Sequence, residues 1–296
     1  MSQSFDSPVI VGAAGNNPKR IVKRLAVLLF GVAAYAMFLG VFLYAVGFVG
    51  NFLTPTRLDN APKSPFGEAL AINVGLLGLF AVQHSVMART WFKNWWTRFV
   101  PESIERSVYV LTTNIVLGTL FWQWEPMGSV VWNVQNPIGR IVLYTLFAVG
   151  WATVLYTTFL INHFDLFGLR QVWLYFRGKS YTPLGFVTPG PYRIVRHPMY
   201  IGWMTAFWAT PTMTVAHLTF ALGVTGYILT AIIFEERDLV RHLGKSYADY
   251  REKTPMFVPR FASYRAAEAP RPGTILEPLT EFEDSTSSTN QQLLVG

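Results

Sequence analysis

The chain has no cysteine and little charge. Among its 296 residues Cys is absent, and Asp, Glu, Lys and Arg together make up 14%. The first absence excludes disulfides, a thiolate nucleophile and any Cys-ligated zinc or iron–sulfur centre. The second lies well below the roughly one quarter of charged residues found in soluble domains. With 51% hydrophobic residues gathered into long uncharged runs, it points to a multi-pass membrane protein. The formal charge of +7 comes with no nucleic-acid motif, and Lys and Arg flanking membrane spans account for it. There is no internal repeat. No helical His-x-x-x-His pair exists either, so a metal site among His84, His163, Asp165 and His197 has no support from spacing.

What is present is a series of apolar runs. Residues 1–24 are polar and end in Lys19, Arg20, Lys23 and Arg24, a flexible basic tail. The run from Leu25 to about Leu53 is too long for a signal-peptide core of ~7–15 residues and reads as a retained first span. Further spans cover about 69–87, 108–124 and 138–161, each near the ~20 residues that cross a bilayer. Residues 163–191 mix Phe164, Phe167, Trp173 and Phe176 with Arg170, Arg177 and Lys179, which predicts an interfacial helix and a loop. A short apolar segment at 198–210 breaks at Pro211 and is followed by another at 217–234, a tight hairpin. The expected fold class is therefore all-α and polytopic, with five long transmembrane helices. A short helix forms a hairpin with the last of them, and an interfacial helix and loop lie on the cytoplasmic side. Residues 25–266 form the membrane domain, with an amphipathic stretch at 238–261 packing over the loop, and 267–296 read as a disordered tail. All 24 Lys and Arg except Arg57, Lys63 and Arg140 fall on one side, which the positive-inside rule makes cytoplasmic.

The stretch Thr188-Pro-Gly-Pro-Tyr-Arg-Ile-Val-Arg-His-Pro-Met-Tyr-Ile-Gly202 joins a basic, turn-rich loop to the short apolar segment. Pro189, Gly190 and Pro191 mark a turn. Pro198 suits a first helical position, which makes His197 a candidate cap. The free N–H groups there, with Arg193, Arg196 and His197 alongside, favour a carboxylate. Glu235 and Glu236 end the next helix, where acidic groups oppose the helix dipole at ~0.3–1 kcal/mol each. A partner or a function is expected for them, with Arg237 and Arg241 as candidate neutralising groups.

Tyr192, Arg196, His197, Pro198, Tyr200 and Gly202, followed by Glu235, Glu236 and Leu239, meet the pattern Tyr-x-x-x-Arg-His-Pro-x-Tyr-x-Gly then Glu-Glu-x-x-Leu. In this the chain resembles the integral-membrane methyltransferases related to isoprenylcysteine carboxyl methyltransferase and the phospholipid methyltransferases. The resemblance implies that these residues (Leu239 aside) bind S-adenosylmethionine at the cytoplasmic membrane surface. The middle of the chain, through Gln83-His84-Ser85, Trp95-Trp96-Thr97-Arg98, Phe121–Trp124, Leu160–Gln171 and Ala209–Thr214, is similar to a bacterial branch acting on a small thiol. That similarity covers most of residues 20–260 and implies methylation of methanethiol to dimethyl sulfide in the bacterial inner membrane. An acceptor in a lipid headgroup or prenylated carboxylate, and a non-catalytic haem- or quinone-handling protein, stay open as alternatives.

A thiol attacks as its thiolate, and a model cysteine has pKa ~8.5, so a base is useful at neutral pH. Candidates are His163, with Asp165 or Asn162 orienting it, and His84 in reserve; capture of thiolate from solution needs no base. Phe80, Phe164, Phe167, Trp203 and Phe207 are expected to wall the acceptor pocket.

Overall fold

The computed structural model of the chain describes residues 18–259, so the expectations for 1–17, 260–266 and the 267–296 tail lie outside it. Helix α1 (Pro18–Gly50) starts ahead of the first apolar run, and Lys19, Arg20, Lys23 and Arg24 belong to this helix rather than to a tail. Its 33 residues reach about 50 Å, longer than the ~30 Å hydrocarbon core of a bilayer. There follow α2 (Phe66–Ala88), α3 (Thr90–Trp96), α4 (Glu102–Gln123), strand β1 (Val130–Asn133), α5 (Pro137–Leu160), α6 (His163–Leu166) and α7 (Leu169–Phe176). A 3-10 turn at Gly190–Arg193 leads to α8 (Pro198–Trp208), strand β2 (Thr212–Thr214), α9 (Val215–Leu243) and α10 (Lys245–Lys253). Four helices, α1, α2, α5 and α9, are long and apolar enough to cross a membrane. Helix α4 falls outside that set because Glu105, Arg106, Asn114 and Gln123 lower its hydropathy, with smaller effects from Thr112, Thr113 and Thr119. Two of these face protein: Asn114 Nδ2 donates to Ala34 O at 3.4 Å, and Thr113 Oγ1 accepts from Gln83 at 3.3 Å.

The all-α expectation needs one correction. Strands β1 and β2 pair antiparallel, with Trp132 opposite Met213. Pro211 cannot continue α8, and the β-branched residues on both sides of the pairing suit extended backbone. Val134 N donates to Pro211 O at 2.8 Å, and the ribbon closes the end of the bundle opposite α10. Beneath it lies a polar knot. Asn51 Nδ2 donates to Asp59 Oδ2 at 2.6 Å, Thr214 Oγ1 donates to Asp59 Oδ1, and His217 Nδ1 lies 3.3 Å from Asp59 Oδ2. His217, almost wholly buried, donates through Nε2 to Phe207 O at 2.9 Å. The α1–α2 loop is thereby tied to the α8–α9 corner.

Helix α8 precedes α9 in the expected hairpin, yet its closest backbone approach is to α5. A Cβ at Gly150 would stand 2.6 Å from Ala206 N, and one at Gly202 would stand 2.9 Å from Gly150 O. Small residues at a crossing let backbones meet, the device of membrane helix pairs. Around this crossing Trp151, Phe207, Phe220, Phe48, Phe121 and Trp124 form the main core. Helix α7 is amphipathic as expected. Val172 on its apolar face is fully buried where a Gly31 side chain would be, so α1 covers that face at this point.

Candidate active site

The site is built where the 3-10 turn enters α8 and α9 ends. Gly190 has φ +54, a conformation glycine adopts without strain. Pro198 occupies the first helical position of α8 and His197 the N-cap, but the imidazole caps nothing. Its ring turns instead to α9, where Nε2–H donates to Glu236 Oε1 at 2.9 Å. The same oxygen accepts from Arg196 Nε at 2.7 Å. Side-chain exposures of 10%, 5% and 11% for Arg196, His197 and Glu236 make this a buried, charge-assisted triad. Arg196 Nη1 also donates to the carbonyls of Arg251 and Thr254. The backbone N–H groups of Arg196 and His197 donate to Pro255 O at 2.9 Å and Met256 O at 3.3 Å. The segment after α10 therefore straps the loop, as the amphipathic reading of 238–261 anticipated for its described part.

Beside the triad, Tyr200 Oη donates to Glu235 Oε2 at 2.8 Å. Burial and the nearby Glu235 carboxylate push the Tyr192 phenol up to about 12. Tyr250 Oη donates to Tyr192 O at 2.6 Å. Tyr227, about two turns back along α9, lies within electrostatic reach of Glu235 and of Tyr200. Arg237 and Arg241, the expected neutralising groups, are engaged elsewhere: Arg237 lies over Phe234 and Arg241 reaches Asp238 at 3.6 Å. The acidic pair is answered by Arg196, His197 and Tyr200 instead. Gly202 faces α5, and its missing side chain serves the helix crossing.

The candidate bases separate. His163 is buried at the end of α5, stacked on Phe159 at 4.2 Å and edged by Phe164 and Phe167. Thr158 Oγ1 donates to Leu155 O at 2.7 Å, so it must accept from His163 Nδ1–H at 2.8 Å. That assigns the Nδ1–H tautomer and leaves Nε2 to accept from Tyr35 Oη at 2.8 Å. Burial lowers the His163 pKa, which keeps the ring neutral. Asp165 does not orient it. The carboxylate is held by Arg170 at 3.0 Å and by Tyr181 at 3.2 Å, and Asn162 (φ 84) caps α6 by accepting from Asp165 N. His84 is held more loosely. Tyr109 Oη lies 3.0 Å from both ring nitrogens and Thr113 Oγ1 lies 3.4 Å from Nδ1. Its ring stacks on Phe80 at 5.2 Å and meets Tyr227 edge-on at 6.3 Å, on the side of Glu235.

The five aromatic residues expected to form one wall divide in two, because Phe80, Trp203 and Phe207 share the main core while Phe164 and Phe167 surround His163. Within that core Phe80 also stacks on His84, and Trp203 and Phe207 pack on Trp151. Sequence reasoning missed Tyr109, Tyr227, Tyr35 and Thr158. A hydroxyl inside an apolar helix was the available clue, since each needs a partner there.

The model of the family described as phospholipid methyltransferase matches residues 138–249, which span α5 to α10 and hold the whole Glu–Arg–His triad. The chain is 56% identical to the methanethiol S-methyltransferase of Mycobacterium tuberculosis over 238 residues, covering 80% of this chain and 98% of that protein. It is also 56% identical to the methanethiol S-methyltransferase of Crocosphaera subtropica, covering 80% and 93% of the two chains. Against methanethiol S-methyltransferase 2 of Bradyrhizobium diazoefficiens the identity is 48%, with coverage of 84% and 97%. No solved structure matches the chain.

Proposed function

The chain belongs to the family of bacterial methanethiol S-methyltransferases, and from that we propose that it moves a methyl group from S-adenosylmethionine to methanethiol, releasing dimethyl sulfide and S-adenosylhomocysteine. The observation that carries this reading is the pair of carboxylates at one end of α9, each held by a different partner set. Glu236 is neutralised by Arg196 and His197, whereas Glu235 accepts from the Tyr200 hydroxyl and pairs with no cation among the described residues. A carboxylate among aromatic rings suits a ligand with an ammonium and a sulfonium, so the donor set fits S-adenosylmethionine. When bound, it supplies an electrophilic methyl on sulfur.

The chain's own residues do the remainder. Glu235 and Tyr192 hold the cationic ligand, and the Arg196–His197–Glu236 triad ties the loop that carries Tyr192 to the end of α9 that carries Glu235. Methanethiol brings an S–H bond, and its sulfur lone pair forms the new C–S bond. His84 accepts the thiol proton and later releases it to water, with Tyr109 positioning the imidazole. His163, both nitrogens satisfied, is a scaffold. Compared with the initial preference for His163, this favours the histidine whose ring meets Tyr227. Rings such as Phe80 keep water from the reacting sulfur.

In this reading α4 is the fifth span, α3, α7 and α10 lie at the cytoplasmic surface of a bacterial inner membrane, and the site opens there. Single cysteines in this Cys-free chain are expected to react with an impermeant maleimide from outside intact cells at Asn60 and not at Lys179, both exposed. Labelling at Lys179 alone reverses the orientation. The reaction itself is tested by offering the purified protein equal methanethiol, phosphatidylethanolamine and farnesyl-cysteine with S-adenosylmethionine. Dimethyl sulfide is expected as the main product. A methylated lipid or prenyl ester instead overturns the thiol assignment, and no product with any acceptor favours a non-catalytic role.

A further inference from the structure

The cytoplasmic ends of α2, α3 and α4 carry a group of cations that the reaction does not use. Arg89 Nη1 donates to Asp238 at 2.8 Å, and Arg106 lies over the Tyr109 ring at 5.4 Å. Lys93 is half-buried within electrostatic reach of both, with Glu105 the one carboxylate acting on it. Burial, followed by the Arg106 charge, lowers its pKa. Among the described residues neither Lys93 nor Arg106 forms an ion pair. Half-buried like charges repel one another, so their arrangement gains from an anion between them. On and just after α3, Trp91 (64% exposed), Trp95 and Phe99 (69% exposed) are exposed aromatic residues, with Trp95 edge-on to Phe99. Aromatic rings of this kind at the end of an apolar helix sit at the headgroup level of a bilayer.

We propose that Lys93 and Arg106, with Arg89 beside them, bind the phosphodiester of an anionic phospholipid whose acyl chain lies along Trp91 and Phe99. A free anion would need only the cations. The exposed rings on the bilayer side favour a ligand that has both a phosphate and a hydrocarbon tail. The proposal rests on the membrane placement above and is independent of the acceptor.

The test is native mass spectrometry on the delipidated full chain, given equal dioleoyl-phosphatidylglycerol or dioleoyl-phosphatidylcholine. One phosphatidylglycerol is expected to bind with about tenfold preference, the effect of one charge-assisted hydrogen bond. Lys93→Gln with Arg106→Gln removes the preference, whereas Lys253→Gln on α10 keeps it. Should the double variant fail to fold, Lys93→Met, which retains the apolar stem, is expected to lower the preference. Equal retention of the two lipids overturns the proposal, as does a preference unchanged in the Lys93 variants. Displacement of phosphatidylglycerol by equimolar glycerol 3-phosphate also overturns it, because the site then recognises a tailless anion.

Discussion

Glu236→Ala is expected to abolish S-adenosylmethionine binding and to lower the unfolding temperature by about 10 °C. One carboxylate oxygen neutralises both Arg196 and His197. Removing it leaves a guanidinium, 10% exposed, without its counter-charge. Breaking a buried pair from one side costs ~3–5 kcal/mol, a large part of a typical folding stability of ~5–15 kcal/mol. At about 2–4 °C per kcal/mol for a chain of this size, the shift is well outside experimental scatter. The damage also reaches the ligand, because the freed Arg196–His197 loop carries Tyr192 and Tyr200. Glu236→Gln keeps an acceptor and loses the charge, so it is expected to fold and to bind one to two decades more weakly, from ~1.5–3 kcal/mol per charged hydrogen bond. Thermal unfolding with calorimetric titration of the ligand measures both. An alanine variant with unchanged melting and affinity would remove the triad from the account.

His84→Ala is expected to retain cofactor affinity and lose about 10²–10⁴ of its turnover near pH 7, the usual contribution of a general base. The sign of the pH dependence separates a base from a packing residue. Without a base, the rate follows the thiolate already in solution, which rises tenfold per pH unit until the thiol's own pKa. The variant's deficit should therefore shrink as pH increases. His163→Ala is expected to behave differently. It removes a buried ring bonded to Tyr35 and Thr158, so it should melt earlier and lose activity by a similar factor at every pH. Rate–pH profiles of the two variants decide between them. A His84→Ala profile parallel to that of the parent would return the proton to solvent and leave the methyl transfer itself untouched.

Much of this architecture is readable in the chain. Long apolar runs announce α1, α2, α5 and α9. Pro198 and the Glu-Glu pair locate the two helix ends that form the site, because a proline at a helix start and carboxylates at a helix end are local facts. What those groups touch is not local. Arg196 meets Glu236 across two helices, while Arg237 and Arg241, adjacent in sequence, point away. The misreading of His163 with Asp165 has a simple geometric cause, since residues two apart on a helix do not share a face. The β1–β2 ribbon and the Asp59–His217 contact each join segments far apart in the chain, and short runs of Val and Thr carry no trace of their partner. Helix α4 was read as a span on its apolar residues. Asn114 and Thr113 bond to α1 and α2, while Thr112 and Thr119 donate back to carbonyls of α4 itself, which is how polar groups are tolerated inside a bundle.

Methyl transfer is tested most directly by a single turnover of the purified chain with methyl-deuterated S-adenosylmethionine and unlabelled methanethiol, read by headspace mass spectrometry. The expected product is dimethyl sulfide carrying one intact deuterated methyl group, formed one-for-one with S-adenosylhomocysteine, with no such product from Glu236→Ala. Unlabelled dimethyl sulfide, or S-adenosylhomocysteine formed without any dimethyl sulfide, would contradict methyl transfer to the thiol.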